Sequence, residues 1–333
     1  MAGKPDAKIK LLYLKDIFEK YSDEDHILNS SDIVELLNDR YGIECERKSI
    51  YKDIEILSDY GMDIIKTRAP KNGFFLASRD FEAAEVRLLT DAVQAADFIS
   101  KRKTMLLIRK IEDFVSVDQA AKLHKQVYID NRHKCSNEEI YYNIDALDTA
   151  IKAGRKVRLQ YAKRKLSPKF TAEEESREFI LSPYALIWSN DHYYLVANNA
   201  KYDNLMNIRI DRIHHVEILE ESARHFSEVC EYKTYFDSAD YASKVFNMFS
   251  GKPETVDLKC SADLIEEIVD RFGENAALRK SGDDCFLLRE EMSINDGLVS
   301  WIMQFGDKIE VVRPMILREM VKAKAEKIAG LYR

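Results

Sequence analysis

Apolar residues recur at helical spacing through much of the first 150 positions and then give way to short runs with strand-like alternation. Ile9 to Tyr21 places Leu14, Ile17, Phe18 and Tyr21 at i, i+3, i+4 and i+7, which makes one apolar helical stripe. A second helix is predicted from Asp32, with Asp32 as its cap and Glu35 reaching back, Ile33, Leu36 and Leu37 inside, and Gly42 at its end. A third spans about 47 to 60, with Ile50, Ile54 and Leu57 facing inward and Gly61 closing it. Two short strands, MDIIKTR and FFLA, then fold about Pro70-Lys71-Asn72-Gly73.

Residues 79–137 read as helical, with the run Lys101-Arg102-Lys103 as a solvated turn between two helices. A further helix from Ile140 to Lys152 leads through Gly154 into KVRLQY. The polar stretch SPKFTAEEESRE separates that strand from FILSP, YALIW, HYYLVAN, NIRI and HHVEIL. Short strands in succession after one helix describe a small barrel. After a connector over 223–250, the order β-α-β-β-α-β with a last helix is ferredoxin-like. The fold class expected is therefore multidomain α+β.

Composition narrows the function. A chain of 333 residues exceeds what one core usually serves. The net charge of −7 argues against a protein that coats nucleic acid through bulk charge, although a local basic surface acts over only about 8 Å at physiological salt. Five scattered cysteines without a CxxC pair suit reduced cytosolic thiols. No apolar run approaches the roughly 20 residues of a membrane span, and the first residues lack a signal-peptide core, so a cytoplasmic protein with no membrane partner is expected.

The outer face of the third helix carries Arg47, Lys48, Ser49, Tyr51 and Lys52, and the hairpin tip carries Lys66, Arg68 and Lys71. A helix entering the major groove needs phosphate partners and hydrogen-bonding groups on one face and an apolar grip on the other. Three helices and a basic hairpin make a winged helix-turn-helix plan, predicted over 1–78. Residues 46–60 also resemble the recognition helix of DeoR-like regulators, through Ser49, Lys52, Asp53 and Leu57. The competing reading is a polar face turned to water. Residues 1–78 hold 12 Lys and Arg against 15 Asp and Glu, a net of −3, so binding to an operator in double-stranded DNA would need a homodimer on two half-sites.

The stretch from Ser182 to Ile213 is similar to the WYL domain: Tyr193-Tyr194-Leu195 stands where the family has Trp-Tyr-Leu, and Asp211-Arg212-Ile213 is intact. The resemblance implies an Sm-like barrel over 138–222, with aromatic and arginine side chains lining a basic ligand site. Its residues here would be Tyr193, Tyr194, Arg209 and Arg212, with Ser182 and Tyr184 as secondary contacts. Strand alternation puts Arg209 and Arg212 on opposite faces unless a bulge or strand end intervenes, and a cross-strand Arg209–Asp211 ion pair with tyrosines as wall packing is the alternative. Residues 251–333 resemble the extension that commonly follows WYL domains, through Trp301, Phe305-Gly306, Val311-Val312, Pro314 and Leu317-Arg318.

The expected function is a transcriptional regulator in which the amino-terminal module reads DNA, 79–137 links it to the sensor, and the sensor takes a nucleotide or short single-stranded nucleic acid. Phosphate suits arginine, and bases stack on tyrosine. His192 and His214-His215 lack partners at metal-ligand spacing, and no catalytic residue, metal or cofactor is expected. A nucleic-acid-dependent scaffold is the alternative, and a nucleic-acid-processing enzyme would need a carboxylate cluster or an activated nucleophile, neither of which forms a motif.

Overall fold

The computed structural model describes residues 7–124, 134–189 and 191–332; the end of the predicted helical stretch over 79–137 thus falls partly outside the described residues. The fold is mixed α+β, with eleven α-helices among the described residues and three separate sheets. Two compact units divide the chain, residues 1–136 and 137–333.

The first unit opens with α1 (Ala7–Tyr21), α2 (Ser30–Tyr41) and α3 (Arg47–Asp59), packed through the predicted stripes. Leu14, Ile17, Phe18, Ile33, Leu37 and Ile50 are all fully buried in one core. The start of α2 differs from the sequence expectation. Asn29 is its cap, accepting from the backbone of Ser31 and Asp32, while the Asp32 carboxylate reaches back to the Asn29 N–H. The capping box thus sits three residues earlier, because Asn29 meets the same requirement as a short side-chain acceptor.

Strands β1 (Ile64–Thr67) and β2 (Gly73–Leu76) form the hairpin, and Leu28 bridges to Phe74 on its other side. Gly73 belongs to the strand rather than to the turn, and a Cβ there would stand 2.5 Å from the Leu28 carbonyl oxygen. Backbone cannot yield as a flexible side chain does. Gly73→Ala is therefore expected to destabilise the first unit by about 1–2 kcal/mol in urea unfolding, and an unchanged midpoint would show that Leu28 moves aside freely.

Helices α4 (Ala83–Ala95), α5 (Lys101–Glu112) and α6 (Val117–His124) follow. Lys101-Arg102-Lys103 is the first turn of α5, capped by Ser100, and not a turn between helices. Asp23, 3% exposed, accepts from the Ser116 hydroxyl just ahead of α6 and from the His26 backbone, which ties these helices to the α1–α2 loop.

In the second unit, α7 (Ile140–Ala153) ends at Gly154 in the left-handed conformation. Strands β3 (Arg155–Leu166), β4 (Ala172–Ser189), β5 (His192–Asn198), β6 (Met206–Arg209) and β7 (Ile213–Ser222) form one antiparallel sheet in the order β6-β5-β4-β3-β7. The predicted separator is mostly strand. Its cross-strand charges pair, as Arg164 with Glu174 and Lys165 with Glu175, so a hairpin that leaves the core keeps its ladder without apolar alternation.

The expected closed barrel is corrected to a curled open sheet: among the described residues no ladder joins β6 to β7. The two strands are nevertheless opposite edges joined only by a 3-10 turn over Ile210–Arg212. Five flat strands would put these edges about 19 Å apart, and four residue steps reach at most about 14 Å, so the sheet has to curl. Turn geometry takes residues 210–212 out of the extended conformation that a closing ladder would need.

A connector with α8 (Ser238–Lys244) leads to β8 (Lys252–Ser261), α9 (Ile265–Phe272), β9 (Leu278–Lys280), β10 (Cys285–Ile294), α10 (Asp296–Gln304), β11 (Ile309–Arg313) and α11 (Met315–Leu331). These strands form an antiparallel sheet in the order β11-β8-β10-β9, with Val256, Leu258, Leu288, Leu298 and Ile302 in its core.

Candidate nucleic-acid and effector sites

Helix α3 turns Ile50, Ile54 and Leu57 inward, which leaves Arg47, Lys48, Tyr51 and Lys52 exposed on the opposite face. None of Arg47, Lys48, Lys52 and Arg68 makes an ion pair with a described residue. Many acids of the module are occupied instead: Asp53 holds Lys10 at 2.6 Å, Asp32 holds Lys71 at 2.5 Å, and Asp16 and Glu19 hold Lys20 and Lys15. A net charge of −3 therefore coexists with a helix face whose cations are uncompensated.

The eight predicted contacts do not share one environment. Ser49 donates to the Glu46 carbonyl at 2.8 Å and accepts from Lys10 at 3.1 Å, so its hydroxyl serves the scaffold. Lys71 braces the hairpin against α2 through Asp32. Lys66 lies 5.8 Å from the Tyr51 ring and 5.7 Å from that of Phe74, and the two rings meet edge-on at 5.8 Å, which stations the hairpin beside α3.

In the curled sheet, alternation sends Tyr193 and Tyr194 to opposite faces. Tyr193 lines a cleft of about 340 Å³ against α7 with Tyr141, Asp148 and Leu186, and burial raises its phenol pKa. Tyr194 stands opposite Arg209 in the β5–β6 ladder. Burial raises the Tyr194 pKa as well, and Arg209, Asp211, Tyr161 and Arg212 lie within electrostatic reach of its hydroxyl.

Arg209 turns onto Asp211 in a two-pronged pair, Nε to Oδ1 at 3.0 Å and Nη2 to Oδ2 at 2.7 Å. The ion pair considered from sequence thus exists, but it closes across the 3-10 turn and not between strands. The same turn removes the parity constraint. Because the strand ends at Arg209, Arg212 lies in the 3-10 turn and is released from strand alternation. Arg212 is half-buried and pairs with no described acid. Of the two arginines, one is paired in place and the other has no described counter-ion.

Ser182 and Tyr184 sit elsewhere. The Ser182 hydroxyl accepts from the Arg224 N–H, and Tyr184 donates to the Arg224 carbonyl, both at 2.9 Å. Burial pushes the Tyr184 phenol to about 12. The structure uses both to hold the connector against the sheet. Sequence reasoning missed Tyr161, although its place two and four residues beyond the buried Leu159 and Val157 puts it on the inner face. No group of three or more His, Cys, Asp or Glu side chains among the described residues is arranged to hold a metal ion. No described helix is long and apolar enough to cross a membrane.

Comparison with known proteins matches the WYL domain over residues 142–218 and the WCX domain over 252–329. No curated protein matches the chain. Among solved structures, proteasome accessory factor B/C of Arthrobacter aurescens is 16% identical with a TM-score of 0.28, over 97% of this chain and 49% of that one. The chain thus spans about half the length of that protein. A CRISPR Cas-related protein is 15% identical with a TM-score of 0.37, over 97% of this chain and 82% of that one.

Proposed function

We propose that this chain, which belongs to the WYL-domain family and carries a WCX domain behind its WYL domain, is a ligand-responsive DNA-binding transcriptional regulator. The observation that carries the reading is the exposed face of α3, where Arg47, Lys48 and Lys52 have no described counter-ion beside a hairpin that presents Lys66 and Arg68. In this reading residues 1–78 are a winged helix-turn-helix, α3 enters the major groove, and the hairpin is the wing. Residues 251–333 read as ferredoxin-like from their strand order.

The effector is a nucleotide or a short single-stranded nucleic acid. Arg212 offers a phosphate its guanidinium, and Tyr194 offers a base its ring, while Arg209 and Asp211 fix the wall beside them. Native mass spectrometry of the purified chain is expected to find a co-purified nucleotide or oligonucleotide. Failure of any such species to bind in direct titration would remove the sensor from the proposal.

Two measurements address the reader. In gel shifts at two salt concentrations, Lys52→Ala is expected to reduce the salt slope by about one, and an unchanged slope and affinity would return that face to solvent. Light scattering is expected to give a dimer at micromolar concentration, since a module of net charge −3 gains affinity from two half-sites. A strict monomer that binds an asymmetric site tightly would overturn the dimer.

A further inference from the structure

The sheet β11-β8-β10-β9 has one covered face and one open one. Val256 and Leu258 of β8 turn toward Leu298 and Ile302 of α10 in the core. Alternation sends Asp257 and Lys259 the other way, and the ladders set their neighbours on the same side. Arg313 and Arg289 stand opposite Asp257, and Leu287 stands opposite both Lys259 and Arg279. Two rows of side chains result, about 7 Å apart along the strands and each crossing three strands, which makes it about 10 Å wide. One row has an arginine on either side of Asp257. The other has Lys259 and Arg279 on either side of Leu287.

The charge of this face is not balanced. Asp257 is a single carboxylate, 2% exposed, beneath two guanidinium side chains that are 38% and 59% exposed. Lys259 is half-buried and Arg279 exposed, and neither pairs with a described acid. The acids next to them on the same face have cations of their own: Glu310 holds Arg318 at 2.9 Å, and Glu291 holds Lys244 at 3.1 Å. Four cations thus gather around one acid. Residues 251–333 hold 13 Lys and Arg against 16 Asp and Glu, a net of −3, so the composition of the domain does not by itself put a positive field on this face.

Asp257 also fixes where two of these cations point. It takes Nε and Nη2 of Arg289 at 2.7 and 2.9 Å and Nε of Arg313 at 2.6 Å, which leaves Nη1 of each fork outside the pair. A guanidinium already held from one side loses less freedom when an anion meets the other, and its N–H groups match phosphate oxygens. Cations spread over about 10 by 7 Å exceed one phosphate group and suit several in succession. None of the residues that these ladders place on the open face is aromatic, so the face has charge for a backbone and no ring for a base.

We propose that the open face of this sheet is a second nucleic-acid contact, which holds consecutive phosphates of a phosphodiester backbone by charge and without regard to base sequence. The choice of phosphodiester over a carboxylate-rich partner rests on the reading of this chain as a nucleic-acid-responsive regulator. The surface itself is distinct from the Tyr194–Arg212 cluster, and each can be removed without the other.

Fluorescence anisotropy of the full chain tests this with four probes: labelled oligothymidylate of about twelve nucleotides, the same strand with uncharged methylphosphonate linkages, its duplex with oligoadenylate, and polyglutamate. The double variant Lys259→Gln/Arg279→Gln spares the Asp257 pairs, so its urea midpoint is expected to match that of the wild type. Its affinity for the charged strand should fall about tenfold, and its salt slope should flatten by about 1.4, which is two phosphates at roughly 0.7 each. Binding of the methylphosphonate strand should not respond to the double substitution. Weakening on the single strand or on the duplex supports the proposal and tells which of them supplies the phosphates. Unchanged affinity and slope on both would overturn it. Polyglutamate that binds as tightly as the oligonucleotide and loses as much in the double variant would overturn it too, by giving the face to an acidic protein. Arg212→Ala separates the two sites: if it changes nothing while the double variant weakens binding, the sensor reading falls and this surface stands, and if it alone weakens binding, the surface falls and the sensor stands.

Discussion

Replacing Asp257 with alanine is expected to cost about 3 kcal/mol of stability in the carboxy-terminal sheet, measured as the loss in the corresponding urea transition. Asp257 is 2% exposed on the central strand β8 and takes both prongs of Arg289, at 2.7 and 2.9 Å, and Nε of Arg313 at 2.6 Å. One carboxylate thus joins β10, β8 and β11. Without it, two guanidinium groups face each other with no acid between them. Both are partly exposed and reach water, which keeps the loss at the lower end for a buried pair.

The same residue sets an acid response. Hydrogen bonds from Arg289, opposed by burial and helped by Arg313, hold the Asp257 carboxyl down at about 2 against an ordinary 3.8. A carboxyl depressed on folding stabilises the folded state above its unfolded pKa, and that contribution disappears as pH falls through the folded value. The difference between the wild-type chain and Asp257→Asn is therefore expected to be full above about pH 5 and to shrink as pH falls toward 2. A gap that is constant over this window would show that the charge does not hold the strands.

Arg212→Ala is expected to leave the fold intact and to lower affinity for short oligonucleotides at least tenfold, because a charge-assisted bond to phosphate contributes roughly 1.5–3 kcal/mol. Arg209→Ala should behave differently. Its removal breaks the two-pronged pair with Asp211, whose side chain is only 11% exposed, so a loss of about 1–3 kcal/mol in stability should accompany any loss of binding. Tyr194→Phe separates the two uses of that side chain: binding persists if the ring stacks and falls if the hydroxyl donates. Unchanged oligonucleotide binding in Arg212→Ala, with unfolding confined to Arg209→Ala, would make both arginines part of the wall.

The parts of the fold legible in the sequence are those where one short-range rule decides the outcome. Stripes at 3.6-residue spacing located α1 and α3, and Gly42 and Gly154 marked helix ends because each takes a left-handed conformation there. Residues 172–178 escaped because that half of β4 leaves the core, so charge pairing across the hairpin replaces the apolar alternation that betrays a strand. Closure of the sheet was overestimated because the pattern of strands carries no information on the turn at Ile210–Arg212. That turn also frees Arg212 from strand parity.

Roles that depend on distant chain segments were the least legible. Ser182 and Tyr184 bind the backbone of Arg224, about forty residues away, and nothing local distinguishes such a clamp from a ligand contact. Ser49 is similar, since its partner Lys10 comes from α1.

The short joint between β6 and β7 has a consequence for self-association. An open sheet usually exposes two edges on which a strand from another molecule can build. Here one edge is only four residues long, and the other is studded with Glu217, Glu220 and Glu221 held by Arg158, Arg155 and Lys156 of the neighbouring strand. With three residues joining these edges, an incoming strand finds little length on one side and a border of paired charges on the other. What stays open for a longer ladder is the outer part of the β3–β4 hairpin, where residues 172–176 and 162–166 pair with each other alone.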